Sequence, residues 1–274
     1  MYKRIVVKIG TNLLADKVKG INTSRVLEIA KVLSALEKSG KDICLVTSGA
    51  IGAGVAALKL KEKPKTIPEK QATASIGQPL LMEAYEHAFR KYEIIIGQIL
   101  LTKDDFTDRK RYLNAKNTFD VLLKKGVIPV INENDTVAVD EIKVGDNDNI
   151  SAMVAHLVGA DLLIILSDIK GLCKEDPGKN PDAELIPLVE KITPEIEKLA
   201  RGARSELSAG GMTTKLQAAK KCCAAGITMV IADGKDPEVI KKIVCGEPNG
   251  TIFMPCKNKL TESELCELMH GGAS

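Results

Sequence analysis

The chain has 274 residues, of which 45% are hydrophobic and 27% charged, and a formal net charge of +3. A chain of this length buries roughly three quarters of its unfolded surface, so neither a disulfide framework nor structural zinc is needed to hold it. Seven cysteines, an odd number and never spaced CxxC, read as reduced core residues of a cytoplasmic protein. Mild charge, no Trp and few other aromatics exclude the basic, stacking surface of a strong nucleic-acid binder.

Apolar runs with strand character alternate with runs of helical period. Arg4–Ile9 reads as a strand, Ser24–Lys38 as a helix ending before Gly40, and Asp42–Thr47 as a second strand. The charged stretch 59–70, with Pro64 and Pro68, reads as a loop. Leu80–Tyr92 is then helical, Ile94–Leu101 a strand, Asn114–Lys125 a helix and Val127–Ile131 a strand. Ser151–Val158 is helical, Leu162–Leu166 a buried strand, and Thr193–Ala200 and Thr214–Ala225 are helices. Ile227–Ala232 is a strand, with a helix from about Pro237. This alternation predicts an α/β fold with a mostly parallel sheet covered on both faces. No linker divides it, so one continuous sheet with two lobes is expected. No apolar run reaches the ~18 residues of a membrane helix, and Lys8 breaks the only N-terminal apolar stretch, which excludes a signal peptide.

In open α/β sheets, ligands bind outside the carboxyl ends of the strands. Four apolar runs end there in polar groups: Lys8-Ile9-Gly10-Thr11-Asn12, Thr47-Ser48-Gly49, Asn132-Glu133-Asn134-Asp135 and Ser167-Asp168. Turn chemistry alone accounts for Ser, Asn, Asp and Gly. It does not account for Lys8, which shares a strand face with Val6 and would be costly there unpaired. Lys8 either pairs with a carboxylate, for which Asp168 is a candidate, or faces an anionic ligand. Gly210-Gly211-Met212-Thr213-Thr214-Lys215 opens a helix, and first-turn amides attract anions. Lys215 opposes the helix dipole at that position unless a phosphate lies between them. A plain loop with a helix start is the other reading.

No GxxxxGK[ST] motif is present, and no DFG or HRD. Gly49, Gly52 and Gly54 lack the dinucleotide spacing, and Ser48 lacks a GxSxG frame. His87, His156 and His270 fall in helical stretches as surface or core residues. Asp146-Asn147-Asp148-Asn149 opens like an EF-hand, but Ile150 and Ser151 break that pattern. Arg109-Lys110-Arg111 reads as a solvated loop or helix face.

Five stretches together carry a family resemblance: VVKIGTNLL at 6–14, LVTSGAIGAG at 45–54, IPVINENDTVAVDEIKVGDNDN at 128–149, GADLLIILSDIKGL at 159–172 and GGMTTKLQAA at 210–219. In order and content, over residues 3 to 255, the chain resembles the amino acid kinase family, and the long 128–149 segment resembles its branch acting on glutamate. The resemblance implies a three-layer αβα sandwich around a mostly parallel sheet. A kinase domain would span 1–256, with an amino-acid-binding lobe over about 1–158 and an ATP-binding lobe over about 159–256. Residues 257–274 would form a C-terminal helix or tail, without the PUA domain that many members carry.

The activity implied is Mg2+-assisted transfer of the γ-phosphoryl of ATP to the side-chain carboxylate of L-glutamate, the first step of proline biosynthesis. Carried over by position, Lys8, Lys215 and Asp168 would be catalytic, the two lysines on the phosphates and Asp168 holding them in place. Lys8, Ser167, Asp168, Ala209, Gly210, Gly211, Met212, Thr213, Thr214 and Lys215 would bind ATP. Ser48, Asp135 and Asn147 would bind glutamate, with Asn132 and Asp146 close by. No resident metal ligands are assigned. The resemblance further implies a cytoplasmic homo-oligomer, a dimer or tetramer inhibited by proline, with no nucleic-acid or membrane partner. Cys173 stands where the family commonly has Tyr, and Ser208-Ala209 replaces the usual Gly-Thr before GGM. A sister kinase for another acid, and a catalytically silent nucleotide-binding protein, are the competing classes.

Overall fold

The computed structural model describes residues 2–16, 20–138, 147–180, 182–202 and 211–256. The expected placements of Asp146, Ala209, Gly210 and the 257–274 segment lie outside them.

In chain order the elements begin with β1 (Arg4–Ile9), α1 (Thr11–Leu14), β2 (Ala15–Asp16), β3 (Gly20–Ile21), α2 (Thr23–Lys38), β4 (Asp42–Val46), α3 (Ala50–Ala57), α4 (Ile67–Arg90) and β5 (Ile96–Leu101). They continue with α5 (Asp104–Thr107), α6 (Arg109–Lys124), β6 (Ile128–Glu133), α7 (Asn147–Leu157), β7 (Leu162–Ser167) and β8 (Leu188–Val189). The last are α8 (Pro194–Gly202), α9 (Met212–Ala224), β9 (Thr228–Asp233), α10 (Val239–Val244) and β10 (Thr251–Phe253).

Eight strands form one sheet in the order β5-β6-β4-β1-β7-β9-β10-β8. It is parallel from β5 to β9, and β10 runs antiparallel to β9. The sheet is continuous across both halves of the chain, with β1 between them. Period-two alternation in β1 splits the core. Ile5, Val7 and Ile9 face a layer built from α2, α4 and α10, through Leu33, Phe89 and Ile240. Val6 faces the opposite layer of α6, α7 and α9, through Phe119, Val154 and Leu216. Helices on both faces of a mostly parallel sheet make the αβα sandwich. Lys8 is in phase with Val6, so it points toward α7 and α9.

Several boundaries differ from the sequence reading, each for a local reason. The charged stretch 59–70 is not all loop, because α4 begins at Ile67. Thr66 and Glu69 form a reciprocal capping box, and Pro68 is tolerated in the first turn. Pro79 lies inside this helix rather than before it. The α3 segment, rich in glycine, has helical form because of close packing. At Gly77 a Cβ would overlap the Ala50 carbonyl, and at Gly54 it would overlap Thr73, so α3 and α4 meet backbone to backbone. Helix α6 starts at Arg109, earlier than its apolar period, because the Asp108 carboxylate accepts the Arg111 amide at 2.8 Å. The basic cluster 109–111 is its exposed first turn. Among the described residues no helix is long and apolar enough to cross a membrane.

Candidate active site

The carboxyl ends of β6, β4, β1 and β7 are adjacent in the sheet, so their polar endings converge on one edge. Helices α7 and α9 bring their first turns to the same edge. Helix α7 is buried along almost its whole circumference, the mark of an element enclosed between the sheet and another helix. Its first turn therefore carries Asp148 into the interior.

Asp148 is fully buried and takes both lysines. Lys8 Nζ lies 2.6 Å from its Oδ1 and Lys215 Nζ 3.2 Å from its Oδ2. Thr214 Oγ1 donates to Oδ2 at 2.7 Å. Lys8 and Lys215 are themselves 5% and 4% exposed, so three ionised groups from three elements share one enclosed spot. Burial works to raise the Asp148 carboxyl, but the charges of Lys8 and then Lys215 override it and hold the group below the usual range. Burial likewise pushes Lys215 down, against the pull of Asp148. The position at the α7 N-terminus adds the favourable end of a helix dipole. Two cations against one anion leave an excess positive charge directed at the edge.

Asp168 follows β7 and is exposed. It accepts from Asn12 Nδ2 at 2.8 Å and from Ser167 Oγ at 3.1 Å. Partial burial raises its carboxyl, but the Asn12 donor, its own amide, the Ser167 hydroxyl and the Lys215 charge bring it below the ordinary value. The carboxylate in direct contact with both lysines is thus Asp148, and Asp168 acts on Lys215 at longer range. Asp148 was legible only as one member of a DNDN run; the carboxylate partner expected for Lys8 was Asp168, and the structure pairs Lys8 with Asp148 instead.

The neighbouring part of the site is neutral. Asn147 Nδ2 donates to Ser48 Oγ at 3.0 Å and to Asn132 Oδ1 at 3.1 Å. Asn132 Nδ2 donates to Gln78 Oε1 at 2.8 Å. Ser48, Asn132 and Asn147 are thereby joined in one network, to which α4 adds Gln78, a residue the sequence reading had not singled out. Ser48 is set by the turn after β4, where Gly49 takes a φ of 109° that side chains rarely adopt, and caps α3. Asp135 lies in the turn after β6, half-buried. Burial pushes its carboxyl up to about 6. Among the described residues it accepts no hydrogen bond and joins neither cluster.

On the other side of Lys215, Gly211 caps α9 in extended conformation without a side-chain bond to the first-turn amides. Met212, Thr213 and Thr214 follow in the first turn, and Ser167 ends β7.

The family model described as "Amino acid kinase family" matches residues 3–233. A glutamate 5-kinase of Caldanaerobacter subterraneus subsp. tengcongensis is 52% identical over 96% of this chain and 70% of its own length. A glutamate 5-kinase of Clostridium tetani is 52% identical over 93% of this chain and 96% of its own length. Among solved structures, the UMP kinase from Bacillus anthracis superposes with a TM-score of 0.63 at 16% identity, covering 92% of this chain and 96% of its own; this similarity concerns the fold. With a matching family model over most of the sequence and relatives at half identity, the chain belongs to the amino acid kinase family.

Proposed function

We propose that this protein transfers the γ-phosphoryl group of ATP to the γ-carboxylate of L-glutamate, yielding L-glutamyl 5-phosphate and ADP, the opening step of proline biosynthesis. The observation that carries the proposal is the buried Lys8–Asp148–Lys215 cluster at the sheet edge, in a chain half identical to glutamate 5-kinases.

Glutamate's side chain ionises near pH 4.3, so the nucleophile is already a carboxylate and no base has to take a proton. One carboxylate oxygen bonds to the γ-phosphorus as the bond to the β-phosphate oxygen breaks, and ADP leaves with that electron pair. The obstacle is an anion approaching a polyanion. Positioning and charge stabilisation are what a protein contributes to phosphoryl transfer. Lys8 and Lys215 supply that charge, and Asp148 fixes where it sits. Asp168 positions Lys215 from the nucleotide side. Ser167 and the stretch from Ala209 and Gly210 through Gly211, Met212, Thr213 and Thr214 would line the nucleotide, with first-turn amides of α9 facing phosphate. Mg2+ is characteristically held by phosphate oxygens with one or two carboxylates. The exposed oxygen donors of Asp168 fit that role, and the ion when bound neutralises phosphate charge.

Ser48, Asn132 and Asn147 would hold the amino acid on the other flank, with Asp135 on its α-ammonium and Asp146 close by. This assigns the amino acid to the lobe before about residue 158 and ATP to the lobe after it. Inhibition by proline and a homo-oligomeric state in the cytoplasm belong to the same reading.

The test is ADP release with glutamate, ATP and Mg2+, with hydroxylamine trapping the acyl phosphate and proline titrated in. Glutamate-dependent ADP and hydroxamate are expected. ADP release without hydroxamate, or equal turnover with aspartate or UMP, would overturn the substrate assignment.

A further inference from the structure

We propose that Gln78 determines specificity for the amino-acid substrate by donating from its Nε2 to the α-carboxylate. This rests on the glutamate reading above and deepens it.

Gln78 is 9% exposed, on the face of α4 that meets the site. In the structure Gln78 Oε1 accepts from Asn132, whose own oxygen accepts from Asn147. The two amide–amide bonds thus run in one direction, from Asn147 through Asn132 to Gln78. Among the described residues, one end is a donor without a partner, Gln78 Nε2, and the other an acceptor without a partner, Asn147 Oδ1. A buried amide donor left unbonded is costly in a folded protein. Such a group in a binding site is satisfied when a ligand supplies the acceptor.

The ligand end it serves follows from position. Asn132 is on β6 and Lys8 on β1, with β4 between them. Two strand spacings amount to about 10 Å. A substrate whose reacting carboxylate lies at the lysines meets Gln78 with its opposite end. An NH2 group only donates, so it cannot serve the α-ammonium, which needs acceptors and has Asp135. The remaining group at that end is the α-carboxylate. The α3–α4 contact that admits no side chain at Gly77 holds Gln78 at this depth.

The experiment is a substrate swap. Initial rates are measured with L-glutamate and with its α-carboxamide, which keeps the reacting γ-carboxylate, for the wild-type chain, Gln78→Glu and Gln78→Met. Gln78→Glu retains an acceptor for Asn132 but places a carboxylate against the α-carboxylate. KM for glutamate should rise ~10- to 100-fold, the range for a hydrogen bond to a charged group, with KM for ATP unchanged. KM for the α-carboxamide should fall relative to wild type, inverting the preference. Gln78→Met removes the donor without adding charge and should raise KM for glutamate while erasing discrimination between the two substrates. A residue that merely props up the fold would not exchange one preference for the other. An unchanged glutamate-to-amide ratio in either active variant overturns the assignment to Gln78 alone. A wild-type chain without glutamate-dependent turnover overturns the substrate reading, and this assignment with it.

Discussion

The two flanks of the site are built on opposite principles. At the lysines, three ionised groups from β1, α7 and α9 are buried together and hold one another in place. At the amides, four neutral groups from α4, the β4 turn, β6 and α7 are linked by hydrogen bonds and, among the described residues, leave a donor and an acceptor free. A buried charge cluster is stable only when complete, because each missing partner leaves an uncompensated ion. A neutral chain tolerates an open end at much smaller cost. The charged flank is therefore suited to the part of the reaction that never changes, phosphate, and the neutral flank to telling one acid from another.

The sharpest way to break this contrast is Asp148→Asn. It leaves two buried ammoniums facing each other with no counter-charge. Breaking a buried pair costs about 3–5 kcal/mol, and thermal denaturation should show a large loss of stability. Turnover should fall ~1,000-fold or more, beyond the loss of one donor, because both phosphate-facing charges lose their anchor. The depressed Asp148 carboxyl stabilises the fold at neutral pH, and this stabilisation disappears as pH falls below the ordinary carboxyl range, through its folded value. The melting temperature of the Asn variant should thus converge with wild type only in strong acid. Equal stability at pH 7 would mean that the cluster is not held by this carboxylate.

Lys215→Ala tests the same cluster from the other side and should act on rate more than on stability. It leaves Lys8 and Asp148 as a neutral pair, so the fold should persist. Losing one preorganised charge donor lowers kcat by ~100-fold or more, with KM for glutamate nearly unchanged. Near-normal turnover would remove Lys215 from the reaction.

How far the sequence foretold these flanks follows their chemistry. A lysine in phase with Val6 inside an apolar strand is a costly placement, so Lys8 announced a buried anion. The run of strands and helices was legible because burial on both faces leaves unbroken apolar stretches such as Leu162–Leu166. Asp148 was harder, since its role depends on α7 being enclosed all round, which is a property of packing. Gln78 left no local signal: it sits beside Pro79 in a stretch whose helical form comes from the Thr66 cap and the contact with α3. Neutral side chains become informative only when their partners, distant in sequence, are known.

That α3–α4 contact lies against the neutral flank, through Ser48-Gly49-Ala50 and Gly77-Gln78, which gives a further test. In Gly77→Ala, the new methyl overlaps the Ala50 carbonyl and approaches the Gly54 amide at 2.5 Å. The helices must separate, at a cost of about 1–3 kcal/mol for overpacking. Because Ala50 follows Ser48-Gly49 and Gln78 follows Gly77, the separation should raise KM for glutamate ~10-fold at a folded temperature while KM for ATP stays near wild type. Parallel loss of both would show that the two flanks are mechanically coupled.

The last expected effect concerns Asp135, and its sign is opposite to that at Asp148. Burial lifts its carboxyl to about 6 from 3.8. Between about pH 4 and 6 the folded protein therefore keeps a proton that the unfolded chain has released, so stability falls as pH rises through that window. A displacement of about two pH units corresponds to roughly 3 kcal/mol lost at neutral pH. Asp135→Asn should raise the melting temperature of the substrate-free protein by a few degrees at pH 7.5 and leave it unchanged at pH 4. The same variant should raise KM for glutamate ~10-fold or more, since the α-ammonium loses its anion. For wild type, KM for glutamate should climb as pH drops below 6, where the carboxyl becomes neutral, and in the variant it should stay flat. If Asp135→Asn instead destabilised the free protein at pH 7.5, the strain of holding an unpaired carboxylate for the substrate would not exist, and the ammonium would have to find its acceptor at Asn147 Oδ1.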